Sequence, residues 1–252
     1  MEHLLTTEAL ISLLTLTALE TILGIDNIIF ISLVTDKLPQ KQESKGRIIG
    51  LVVAMVVRVL LLMGITTIIK WGEAELFTVF GKGFSFRNLI LLAGGLFLIA
   101  KSTKEIHNKV EEDGFEDVEA KSITMFKAIT QIVLIDIVFS FDSILTAVGL
   151  VEDVEIMIVA VIISMSMMIV FAKTISDFIE QNPTFKVLAL SFLILVGFLL
   201  VLEGFGQHVE KGYVYFAIAF AFIVEIINNR IRKKNHKKGL SVKEIKESYD
   251  DV

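Results

Sequence analysis

Long apolar runs separated by short polar breaks set the pattern of this chain. A helix that crosses a bilayer needs about 20 mostly apolar residues. Seven stretches meet or approach that length: 8–33, 48–69, 89–104, 125–150, 154–176, 185–203 and 213–229. The third is the shortest, because Lys101 and Lys104 curtail its apolar part. Its Gly94–Gly95 pair suits close helix packing. The pattern predicts an all-α membrane protein of about seven transmembrane helices. Composition agrees: 54% of the 252 residues are hydrophobic, against about 45–50% in soluble domains. With no Cys in the chain, a disulfide framework and a thiolate metal site are excluded. The opening MEHLL lacks the basic segment of a cleaved signal, so the first helix is expected to be retained.

The breaks between the runs carry the orientation signal. One side collects Lys37, Lys41, Lys45 and Arg47, then Lys101, Lys104, Lys109, Lys121 and Lys127, then Lys173, Lys186 and the basic tail from Arg230 to Lys238. The other side has Lys70, Lys82, Arg87 and Lys211. Seventeen basic residues against four put the N-terminus outside and the C-terminus in the cytoplasm. An acidic loop at 108–124 reads as a solvated linker, with a cation-gathering mouth as its functional alternative.

The runs also repeat. Glu20-Thr-Ile-Leu-Gly24-Ile-Asp26-Asn27-Ile28 and Asp136-Ile-Val-Phe-Ser140-Phe-Asp142-Ser143-Ile144 share one pattern: acid, five residues, Asp, small polar residue, Ile. Two helices later, the segment around Gly95 and Lys101 resembles that around Gly197 and Glu203, and His107 and His208 follow at similar distances. An odd number of spans per copy inverts the second copy in the membrane, the common architecture of secondary transporters. The expected organisation is a three-helix repeat over 1–107, the linker over 108–124, a second repeat over 125–208, a seventh helix over 209–230, and a basic, polar cytoplasmic tail over 231–252.

Chemistry enters with the acids. Glu20, Asp26, Asp136 and Asp142 fall near mid-span. Each costs about 2.5–3.5 kcal/mol there, so four cost on the order of 10 kcal/mol unless something compensates. The bland explanation is pairing with Arg58, also mid-span, but one Arg serves one or two carboxylates. Residues six apart on a helix differ by about 120° and 9 Å. Glu20 and Asp26 therefore share a site only if the helix breaks, at Gly24 with Ser140 as the weaker equivalent; otherwise the acids form two layers, and Gly24 reads equally as a packing position. Oxygen donors of this kind favour a hard divalent cation. The Met165, Met167 and Met168 cluster reads as packing, and no His lies mid-span. There is no H-E-x-x-H and no G-x-S-x-G, which argues against an enzyme. Glu203 and His208 read as an exit relay or as an interfacial cap. Lys101 reads as a gate charge or as a snorkelling side chain.

The segments ETILGIDNIIF, LILLAGGLFLIAKSTKEIH, DIVFSFDSILTAVG and LLVLEGFGQHVEKGYVYFAIAF resemble the signature segments of the TerC family of bacterial membrane proteins. That resemblance implies Mn²⁺ export from the cytoplasm, with Glu20, Asp26, Asp136 and Asp142 as the functional acids. The expectation is then a secondary transporter in the bacterial cell membrane that carries Mn²⁺, with proton exchange as its coupling. Asn27 and Ser143 would be neutral ligands beside the four acids; Gly24, Arg58, Lys101, Glu203 and His208 would support or gate. No prosthetic group is expected. The partners to be expected are the bilayer, the cation, protons, and secretion machinery or a second copy of the chain, with no nucleic acid. A Ca²⁺/proton exchanger and a non-transporting scaffold are the competing readings.

Overall fold

Two helix starts are written in the side chains before them. Thr6 accepts a hydrogen bond from the Ala9 amide at 3.2 Å, and Thr124 accepts one from the Lys127 amide at 3.4 Å, each satisfying an amide with no partner inside the helix. The computed structural model describes residues 6–64, 67, 75–79, 82–112, 123–151, 153–207 and 209–237. In chain order the elements are α1 (Thr7–Leu23), α2 (Ile25–Thr35), α3 (Gln40–Met63), β1 (Glu75–Val79), β2 (Lys82–Ser85), α4 (Phe86–Glu112), α5 (Met125–Leu150), α6 (Val154–Glu180), α7 (Pro183–Gly204) and α8 (Lys211–Lys237). Pro183 opens α7, where its missing amide hydrogen removes no helical bond.

The first unit, Met1–Val209, holds α1 to α7. α4 lies along α7, α3 packs on α5 and α6, and α1 packs on α6. The short α2 touches α3, α5, α6 and α7. Its core includes Leu16, Ile29, Leu51, Leu98, Ile132 and Met165. Apolar residues also face outward: Leu14, Leu60 and Val170 are 69%, 61% and 71% exposed. In water so much exposed apolar surface would associate; in a bilayer it is the surface that meets lipid. The second unit, Glu210–Val252, contains α8.

Among the described residues, four helical segments are long and apolar enough to span: Gln40–Met63, Val154–Glu180, Pro183–Gly204 and Gly212–Ile231. α1 and α2 together make a fifth if the bent pair is one span. The expected seven are thus met in part. α4 and α5, which hold the expected third and fourth spans, have 27 and 26 residues, or about 40 Å of helix.

Among the described residues, the chain departs from the all-α expectation at one place. β1 and β2 form an antiparallel hairpin between α3 and α4. Its Phe77 and Phe84 stack with ring centroids 5.6 Å apart. Strands this short carry too few alternations for hydrophobic period to reveal them.

Candidate metal centre

The first apolar run is bent where its sequence allowed a break. α1 ends at Leu23 and α2 begins at Ile25, with an angle of 41° between the two. A Cβ on Gly24 would fall 1.8 Å from Cε of Met168 on α6, so a larger residue at the bend requires the Met168 side chain to move. The Gly24 amide still reaches the Glu20 carbonyl at 2.8 Å, and the Ile28 amide reaches that of Gly24 at 3.1 Å. The break is therefore a bend rather than an unwound stretch. The equivalent helix is not broken: α5 runs through Ser140 without interruption. Ser140 keeps its place by a different role.

That role concerns Arg58. Its guanidinium, 2% exposed, lies between the first acids of the two repeats. Nη1 donates to Glu20 Oε2 at 2.7 Å, Nη2 to Asp136 Oδ1 at 2.9 Å, and Nε to Ser140 Oγ at 2.7 Å. Ser140 in turn donates to Asp136 Oδ2 at 3.1 Å. Three helices are joined by one planar cation: α1 through Glu20, α3 through Arg58, and α5 through Asp136 and Ser140. Arginine's rigid fork of donors suits this geometry, which a lysine could not reproduce.

The second acids are placed differently. Asp26, in the first turn of α2, is buried, and none of the ion pairs formed among the described residues includes it. Next to it, Asn27 is buried, and its Oδ1 has no hydrogen-bond partner among the described residues. Asp142 lies on α5, and its side chain is outside the described residues. Ser143 is buried and donates weakly to the Ser140 carbonyl at 3.4 Å. Among the described residues, no three acidic or imidazole side chains are grouped so as to hold a metal ion. The sequence-predicted set thus divides into Glu20 and Asp136, held by Arg58, and Asp26 with Asn27, of which Asp26 has no ion pair and Asn27 Oδ1 no donor among the described residues.

Two small crevices lie in the first unit, one of them against Glu20. One is lined by Leu16, Glu20, Leu62, Ile144, Ala147, Met157, Ala160 and Val161. The other, beyond Phe30, is lined by Lys101, Ser102 and Glu105 of α4 with Leu33, Val34, Leu190 and Leu193. Lys101 therefore faces a crevice of the bundle as well as the polar end of α4. At that end Lys37 pairs with Glu105, and Lys186 with Asp36 at 3.1 Å. Residues 68 and 150 positions apart meet there, and no sequence signal announced either pair. Glu203 is buried in the last turn of α7; His208 lies outside the described residues. Of the three methionines read as packing, Met165 and Met168 are buried and Met167 is 40% exposed.

Residues 5–239 match the model of the integral membrane protein TerC family. The chain belongs to the TerC family. Relatives agree. A UPF0053 protein of Haemophilus influenzae is 48% identical over 227 residues, covering 90% of this chain and 95% of its own. The UPF0053 inner membrane protein YgdQ of Escherichia coli K12 is 50% identical with the same coverage. The TerC-like part also occurs in longer proteins: the UPF0053 inner membrane protein YoaE of E. coli K12 is 43% identical over 92% of this chain but 45% of its own length. No solved structure matches. TerC membership and the apolar helices together make this an integral membrane protein of several spans.

Proposed function

We propose that the chain is a secondary transporter that exports a hard divalent cation, Mn²⁺ foremost, rather than an enzyme. The observation that carries this reading is the buried pair Asp26 and Asn27: a carboxylate with no ion pair, and an amide oxygen with no donor, among the described residues. Buried polar atoms in native proteins are satisfied by protein, water or an ion, and a carboxylate deep in a membrane protein marks an ion pathway by default. Asp142 and Ser143 of the second repeat would complete the ligand set with Glu20 and Asp136. Metal identity comes from the family resemblance; oxygen chemistry alone specifies a hard ion.

The packing supports an inverted repeat of three and three spans with a seventh after it. Exchanging the halves turns α1 with its continuation α2 into α5, α3 into α6, and α4 into α7. The α1–α6 packing then becomes α5–α3, while α3–α6 and α4–α7 map onto themselves; all four occur. Gly95 and Gly197, equivalent in the repeat, face each other. A Cβ on Gly95 would fall 2.5 Å from the Gly197 carbonyl oxygen, and one on Gly197 would fall 2.8 Å from that of Gly95. Ion release on alternate sides then follows from one repeat moving against the other. Positive charge at the loops puts the C-terminus in the cytoplasm. Protons returning on the emptied acids supply the coupling, and a second copy or secretion machinery remains the proposed protein partner.

The test is uptake of Mn²⁺ into inverted membrane vesicles containing the full chain, which reads export. A pH gradient, acid inside, is expected to drive uptake, and a tenfold excess of Ca²⁺ to leave most of it. Vesicles that gain no Mn²⁺ beyond those lacking the protein would refute transport. Full suppression by Ca²⁺ would point to a site of higher coordination number, suited to the larger ion.

A further inference from the structure

We propose that Arg58 is a tethered counter-cation, which competes with the transported ion for Glu20 and Asp136 and occupies their site during the empty return. The inference rests on the transport reading above and adds the device that separates loading from return.

The equivalence of the two acids is the starting point. Glu20 and Asp136 occupy matching places in the repeated motif, and one guanidinium bonds both, at 2.7 and 2.9 Å. A fixed positive charge therefore stands between two carboxylates drawn from opposite halves. The repeat offers no second such cation. Arg58 of α3 reaches Ser140 on α5 at 2.7 Å. Exchange of the halves sends Ser140 to Gly24, and the side chain of α6 that lies against Gly24 is Met168. The position answering Arg58 is thus neutral. The device is single, and it serves both halves.

Geometry then makes guanidinium and metal rivals. An octahedral divalent ion takes six oxygen ligands, Asp26 and Asn27 offer three side-chain oxygens at most, and the ligand set proposed above draws on Glu20 and Asp136 as well as Asp142 and Ser143. Drawing on Glu20 or Asp136 removes an acceptor from Arg58, and the two cations repel each other at that range. Loading therefore releases Arg58 from its forked hold, and a buried guanidinium stripped of acceptors needs water. The crevice lined by Leu16, Glu20 and Leu62 includes one acid of this centre and is where water would enter. When the metal leaves, Arg58 takes the two carboxylates again and closes the empty site with no ion aboard. Such rivalry is a reciprocal coupling: whatever weakens Arg58 at the site strengthens the metal there, typically about 5–150-fold.

The experiment uses the full chain in proteoliposomes with Mn²⁺ as probe. Net efflux from loaded vesicles is compared with one-for-one exchange against Mn²⁺ outside. Arg58→Gln, purified in Mn²⁺, is expected to keep exchange, to lose net efflux by about tenfold or more, and to bind Mn²⁺ at least about fivefold tighter. Mn²⁺ is also expected to raise its melting temperature more than that of the parent. Arg58→Lys, which restores the charge, recovers part of the net efflux. Three results overturn the proposal: net efflux by Arg58→Gln equal to the parent's; a folded Arg58→Gln that has lost exchange too; or an Arg58→Gln that fails to fold even in Mn²⁺, which would make the guanidinium a structural pin. Absence of both fluxes in the parent protein would sink the transport reading and this inference with it.

Discussion

Asp26→Asn is expected to reduce Mn²⁺ flux by at least about tenfold to a hundredfold, the range already seen when mere outer-sphere partners of a bound metal are lost. The same variant should melt within a few degrees of the parent, or above it. Asp26 is buried and shares no ion pair with the described residues. Its charge therefore contributes a desolvation cost, about 2.5–3.5 kcal/mol at mid-span, with no cation among the described residues paired to offset it. Neutralising it removes a ligand and relieves that cost together. A residue that was merely structural would behave in the opposite way, losing stability while leaving flux per folded molecule intact. Thermal unfolding in detergent beside the vesicle assay separates the two outcomes.

Asp136→Asn is expected to do the reverse to stability. Asp136 accepts from Arg58 at 2.9 Å and from Ser140 at 3.1 Å, and all three side chains are buried. Removing one member of a buried ion pair costs about 3–5 kcal/mol, because the surviving charge is left uncompensated. Glu20 retains its bond to Arg58, which places the loss towards the lower end of that range. A large fall in unfolding free energy is therefore expected for Asp136→Asn and none for Asp26→Asn, although both replace one aspartate of the same repeated motif by its amide. Equal stability of the two variants would mean that the guanidinium contributes nothing measurable to the fold.

The reason these two acids differ was only half legible in the chain. The motif made Glu20 equivalent to Asp136 and Asp26 to Asp142, and the mid-span position of Arg58 showed that one or two carboxylates could be paired. Which two could not be read, because it depends on how α1, α3 and α5 cross. Gly24 read equally as a break or as a packing position, since glycine in an apolar helix is costly without a reason. The reason, the side chain of Met168 lying where a Cβ would stand, is a tertiary contact across more than a hundred residues. Ser140 looked like a weaker version of that bend and proved to be a hydrogen-bond partner of Arg58 in an unbroken helix. The length of the apolar runs located the long helices among the described residues, because lipid imposes a single length scale on them, though four of these, or five with the bent pair, qualify as spans. It missed the Glu75–Ser85 hairpin, whose strands have five and four residues. The ion pairs Lys37–Glu105 and Lys186–Asp36 were hidden for the same reason as the Arg58 partners: charge alone does not choose among many distant mates.

The whole account depends on an ion occupying the space beside Asp26. Crystals of the protein grown with Mn²⁺ and measured on both sides of the manganese absorption edge would locate it directly. The account predicts an anomalous peak within ligand distance of the Asp26 carboxylate and the Asn27 Oδ1, between α2 and α5, and its loss in Asp26→Asn. Well-ordered crystals in which these oxygens are met by water or protein donors, with no peak in the bundle, would contradict it.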